Sequence, residues 1–145
     1  MFKAASEKDG SSFDAFANIG RVEYMLKRYP EAAEAFRAAL AIDGSNGDVQ
    51  GELGRTYYRQ KKFSDAVAAY ESCHSAGAGE YSSYYYLGKA YQKTNNATKA
   101  IAALKESLKL KPSNYSAQSA IGGIYLGQEK YQLAANAFKA ALKID

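Results

Sequence analysis

The sequence has one cysteine, one histidine, two prolines and no tryptophan, and each shortage removes a class of protein. Cys73 has no second cysteine to pair with, which excludes a disulfide scaffold and leaves the redox compartment open. Only Pro30 and Pro112 interrupt the chain, so long unbroken helices have room to form. β-Branched residues are scarce as well: 3 Val, 6 Ile and 3 Thr stand against 27 Ala. That balance favours helix, because alanine loses least on entering one and β-branched side chains lose χ1 freedom. No apolar run approaches the roughly 20 residues of a membrane span. The opening MFKAASEKDG lacks the long apolar stretch of a secretory signal, so no localisation is assigned.

The shortages also thin the chemistry. Cys73 and His74 are sequence neighbours, so on a helix they point in different directions. Two adjacent ligands do not make a metal site without further donors at ligand spacing. There is no glycine-rich phosphate loop and no nucleophile elbow. The expectation is a chain that is not an enzyme and has no catalytic residue, metal or cofactor. Cys73 then reads as a small buried residue and His74 as a half-buried structural one.

What is present is periodic. Over 145 residues, 47% hydrophobic and 23% charged, the pairs Ile19-Gly20, Leu53-Gly54, Leu87-Gly88 and Ile121-Gly122 recur every 34 residues. Counting repeats from residues 13, 47, 81 and 115, the twentieth position is Ala32, Ala66, Ala100 and Ala134. The twenty-fourth is Phe36, Tyr70, Leu104 and Phe138, and the twenty-seventh is Ala39, Cys73, Ser107 and Ala141. The apolar residue, glycine and aromatic at positions 7, 8 and 11 share one face of a first helix. The Ala, Phe and Ala columns form the facing stripe of a second, which the glycine lets approach closely. Asn46, Asp48, Pro30, Ser64, Thr98 and Asn114 mark helix starts. Each repeat is expected to be a helix pair over about positions 2–14 and 18–30, and one pair alone cannot bury its apolar faces.

This pattern resembles the tetratricopeptide repeat (TPR) family over residues 13–145. It departs at Gln50 and Gln118, where an aromatic is usual, at Glu23, which replaces a Tyr, and in having only Pro112 as a terminal proline. The resemblance implies an all-α, right-handed superhelical solenoid of antiparallel helix pairs. Its repeats would be 13–46, 47–80, 81–114 and 115–145. Phe2-Lys3-Ala4-Ala5 repeats Phe138-Lys139-Ala140-Ala141, so residues 1–12 read as the second-helix remnant of a preceding repeat, and the chain as a segment of a longer array.

In this family the first helices line a concave groove through positions 2, 5, 6, 9, 12 and 13. That implies a lining that includes Asn18, Arg21, Tyr24, Glu52, Arg55, Tyr58, Arg59, Tyr85, Tyr86, Lys89 and Lys93, with Ala17, Met25, Gly51 and Leu126 at further groove positions. Arg21, Arg55 and Lys89 make one cation per repeat, interleaved with tyrosines. Arginine and tyrosine anchor interfaces because they combine rigid area with directed hydrogen bonds. The implied partner is a protein or peptide with acidic and with aromatic or apolar side chains. The clamp of chaperone-tail-binding members is missing, since Ala17, Arg21, Glu52, Ser82 and Tyr86 occupy its positions. The third repeat is the basic one, with Lys99, Lys105, Lys109 and Lys111 on or near its second helix. These read as a solvated outer face, which leaves nucleic acid disfavoured as a ligand. The function expected is a protein–protein interaction module, an adaptor or scaffold. The alternatives are a self-associating structural scaffold and the recognition arm of a larger enzyme.

Overall fold

The computed structural model describes residues 10–144, and among these all regular structure is helical. The eight helices are α1 (Gly10–Met25), α2 (Tyr29–Ile42), α3 (Gly47–Arg59), α4 (Phe63–Ser75), α5 (Tyr81–Lys93), α6 (Ala97–Leu110), α7 (Tyr115–Gly127) and α8 (Tyr131–Ile144). Gly10, Ser11 and Ser12 lie in the first turn of α1. The rest of the 1–12 segment, read above as the end of a preceding helix, falls outside the described residues. The helices form two compact units, one up to Gly79 and one from Glu80 onward.

In the first unit α1 packs on α2, α2 on α3 and α3 on α4. Its core joins Phe16, Ala17, Ala32, Ala33, Phe36, Ala39, Val49, Leu53 and Ala69. In the second unit α5 packs on α6, α6 on α7 and α7 on α8, with a smaller contact between α5 and α7. The buried stripe there includes Leu87, Ala90, Tyr91, Ala100, Ala103, Leu104, Ala117, Ile121 and Ile124.

The glycine column shows why the helices of each pair lie so close. A Cβ at Gly20 would stand 2.6 Å from the Phe36 ring, and one at Gly54 would stand 3.0 Å from Tyr70. One at Gly88 would stand 2.7 Å from Leu104 Cγ, and one at Gly122 would stand 2.8 Å from Phe138. Position 8 of each repeat therefore faces position 24, the small residue receiving the large one. Ile19 departs from its column: it is 39% exposed, whereas Leu53, Leu87 and Ile121 are buried.

The turns inside the pairs share a backbone device. Lys27, Lys61, Asn95 and Glu129 have φ of 63°, 61°, 61° and 59°, again 34 residues apart. Each lets the next two-residue turn close by hydrogen bonds back to the helix, as in Lys62 N–H to Tyr57 O at 2.9 Å and Lys130 N–H to Tyr125 O at 2.9 Å. These are left-handed residues just past the helix ends, directly after the C-caps Gln60, Thr94 and Gln128 in α3, α5 and α7, and all but Asn95 take that conformation against the usual preference for Gly or Asn.

Caps correct part of the sequence reading. Asn46, Asn96 and Asn114 accept the backbone N–H of Val49, Lys99 and Ala117. Ser64 and Thr98 sit one residue inside α4 and α6, whose N-caps are Lys62 and Asn96. In the second unit Asn114 also donates to Ser107 Oγ at 2.9 Å, and Ser107 donates to the Tyr81 carbonyl at 2.7 Å. Ser107 is fully buried, and the two bonds satisfy its hydroxyl.

Candidate functional site

Positions 2 and 9 of the first helices stay in solvent in the first unit, because Asp14, Arg21 and Arg55 lie on the face that α2 and α4 leave uncovered. Position 5 does not. Ala17 is 1% exposed, and a Cβ on Gly51 would stand 3.1 Å from Cys73 Sγ. Both were expected to line the groove; instead Ala17 joins the core of the first unit and Gly51 lies against Cys73 of α4.

Arg21 and Glu52 form a two-pronged bridge between α1 and α3. Arg21 Nε donates to Glu52 Oε1 at 2.7 Å and Nη2 to Oε2 at 2.8 Å. Arg21 Nη1 also donates to Asn18 Oδ1 at 3.0 Å. Hydrogen bonding to Glu52 raises the Arg21 pKa above its ordinary value against the opposing effect of burial, with the charges of Glu52, Asp48 and Asp14 adding to it. The cation ladder read from the sequence is thus broken at its first rung, where the charge is already matched inside the chain.

The next two arginines gather on one tyrosine. Arg55 Cζ lies 5.4 Å and Arg59 Cζ 6.0 Å from the Tyr24 ring centre, and Arg59 is 5.8 Å from that of Tyr29. Arg59 Nε donates to the Tyr24 hydroxyl at 3.2 Å, and Tyr24 meets Tyr29 edge-on at 5.3 Å. Planar guanidinium groups stack on such faces and keep their edges available for anions. Among the described residues Arg55 has no carboxylate partner. Tyr29, which is not among the groove positions read from the sequence, is part of this cluster. Tyr58 packs edge-on against Phe63 at 5.3 Å. A cavity of about 160 Å³ opens beside Tyr24 and Arg55, lined also by Arg21, Met25, Phe36 and Glu52.

The second unit offers a shallower cleft between α5 and α7, about 380 Å³, bounded among others by Tyr85, Lys89, Gln92, Tyr115, Ser116 and Ser119. Tyr85 and Tyr86 meet edge-on at 5.2 Å. Burial pushes the Tyr85 hydroxyl above its ordinary pKa, Tyr86 adds to this and a hydrogen bond with Ser116 works against it. Gln92 Oε1 is buried there without a hydrogen-bond partner. Lys93 is exposed on the last turn of α5. Gln92, Ser116 and Ser119 occupy groove positions in the sequence, but nothing in their residue type singled them out.

No group of three or more metal-ligating side chains occurs among the described residues, and none of the described helices is long and apolar enough to cross a membrane. Cys73 is buried. His74 is half-buried, and desolvation lowers its pKa below 6.5 against the opposing charge of Glu71. The unfolded chain therefore takes up a proton first as pH falls. The contribution of a neutral His74 is complete above that value and diminishes as pH drops from 6.5 toward the folded pKa. Thermal melts across about pH 5 to 8 are expected to show this loss in the native chain. His74→Leu, which restores the residue seen at Leu40 and Leu108, is expected to flatten it; an unchanged slope would exclude His74 as the cause.

Two family models, both described as tetratricopeptide repeat, match residues 23–87 and 85–145. A search of curated proteins finds no match. Among solved structures, the crystal structure of MamA is similar with a TM-score of 0.89 at 22% identity, over 99% of this chain and 84% of that one. MamA 41-end from Desulfovibrio magneticus RS-1 is similar at 0.86 and 20%, over 91% and 75%. YrrB, described as a TPR protein with an unusual peptide-binding site, is similar at 0.82 and 19%, over 90% and 67%.

Proposed function

The chain belongs to the tetratricopeptide repeat family, and from that premise we propose that it captures a peptide segment of a partner protein on the exposed faces of its first helices. In general terms it is a protein–protein interaction module, of a family whose scaffolds are as a rule non-catalytic. The finer reading takes the repeats as 13–46, 47–80, 81–114 and 115–145. It assigns the contact to Tyr24, Arg55 and Arg59 in the first unit and to Tyr85, Tyr86, Lys89 and Lys93 in the second. Asn18, Arg21 and Glu52 frame the first face through their mutual hydrogen bonds rather than offering free charge.

The observation that supports this best is the pair of arginines stacked on Tyr24, with Arg55 lacking a carboxylate partner among the described residues. Such a cluster costs side-chain entropy to hold together, and an acidic partner adds charge-assisted hydrogen bonds to a fork already in place. The partner that fits carries carboxylates together with aromatic or apolar side chains.

The test compares the native chain with Arg55→Glu/Arg59→Glu/Lys89→Glu as baits, read by mass spectrometry. A partner held by the first and lost by the second, with circular dichroism unchanged, is the expected result. Equal capture by both sinks the assignment. Recovery of only this chain by both baits favours a second reading, self-association, for which Val22, Leu26, Tyr131 and Leu142 supply apolar area at 57%, 53%, 62% and 72% exposure.

A further inference from the structure

We propose that the cavity between α1, α2 and α3 is a socket for a single apolar side chain of the partner, of phenylalanine or leucine size, with a carboxylate beside it. This rests on the reading that the α1–α3 face binds a peptide, and it specifies what that peptide must present. The cavity measures about 160 Å³, close to the roughly 150 Å³ of an apolar cavity that admits benzene. One ring or one leucine fills it.

The walls divide by chemistry. Phe36 lines the cavity but is only 1% exposed, its ring held against Gly20, where an added Cβ would stand 2.6 Å away. The Tyr24 ring and Met25 complete the apolar part. Met25 is 78% exposed, and its unbranched thioether can fold over an inserted group. Arg21 and Glu52 line the cavity as well, but they satisfy each other through two hydrogen bonds and ask nothing of a ligand. Arg55 is the remaining lining cation. A carboxylate next to the inserted ring meets Arg55 in the open part of the cavity, and a lysine in the same place is repelled by it. The geometry thus selects an apolar residue flanked by Asp or Glu and selects against one flanked by basic residues.

The experiment uses two synthetic peptides, Gly-Ser-Asp-Phe-Asp-Ser-Gly and the same sequence with Ala in place of Phe, titrated into isotope-labelled protein and followed by two-dimensional NMR. The Phe peptide is expected to shift the amides of Gly20, Tyr24, Met25 and Arg55 and to bind roughly 10-fold or more tightly than the Ala peptide, the difference that burying one aromatic side chain supplies. Arg55→Glu is expected to weaken the Phe peptide by a comparable factor while helicity holds. If both peptides bind equally and still depend on Arg55, the socket is wrong and the acidic-peptide reading stands. If neither shifts these amides at millimolar concentration, the socket is also wrong, and the bait comparison decides the broader reading on its own.

Discussion

Gly88→Leu is expected to destabilise the second unit strongly. The site has no room for even a methyl group, since an added Cβ would stand 2.7 Å from Leu104 Cγ, 2.9 Å from Leu104 Cδ2 and 3.1 Å from the Ala100 carbonyl oxygen. The last of these is backbone, which cannot swing aside as a side-chain tip does. Leucine adds three further carbons, so α5 must separate from α6 along the contact that organises the unit. Overpacking of this kind costs roughly 1–3 kcal/mol or more. Ala100→Phe tests the same interface from the other helix, because Ala100 is fully buried. Denaturant titration of both variants against the native chain reads the effect. Native-like stability in either would show that position 8 does not face the second helix as described.

Phe36→Ala carries the other large effect, in the first unit. Phe36 joins the core of Phe16, Ala32, Ala33, Ala39, Val49 and Leu53, and Gly20 lies against its ring. Truncation removes the ring where the small residues around it cannot refill the space, and such changes cost about 3–5 kcal/mol. Set against the roughly 5–15 kcal/mol that holds a domain folded, this leaves little. A loss of unfolding free energy below about 1 kcal/mol would mean that the helices close over the gap. The variant has a second use, because Phe36 is also the floor of the proposed socket: if it folds, it should lose the preference for the Phe peptide over the Ala peptide.

How much of this was legible in the residues depends on the kind of force involved. The Ala, large and small columns at 20, 24 and 27 were readable because packing constrains residue size directly, and Ala32, Phe36, Ala66, Tyr70 and Ala100 are all buried. The same pattern failed at Ile19 because burial belongs to whatever covers a face, and its own sequence neighbourhood does not report that. Helix starts at Ser64 and Thr98 were misplaced by one or two residues because a hydroxyl near a helix start resembles a cap whether or not its backbone leaves the helix. The Arg21–Glu52 bridge spans 31 residues of sequence, and a charge column cannot tell a matched cation from an open one. The left-handed residues were invisible for a different reason. Lys27, Lys61 and Glu129 are not the residue types that favour that conformation, and the hydrogen bonds of the turn hold them there.

Those four left-handed residues recur in step with the four glycines and their partners, so the chain keeps time by counting. A helix advances about 100° per residue. Losing one residue between Gly54 and Tyr70 would swing the second helix by that angle and bring a different side chain onto the glycine, whereas adding or removing 34 residues returns every face to its place. Length in such a chain is quantised: it can grow or shrink by whole repeats and by little in between, and within each unit a single slip is felt by everything downstream.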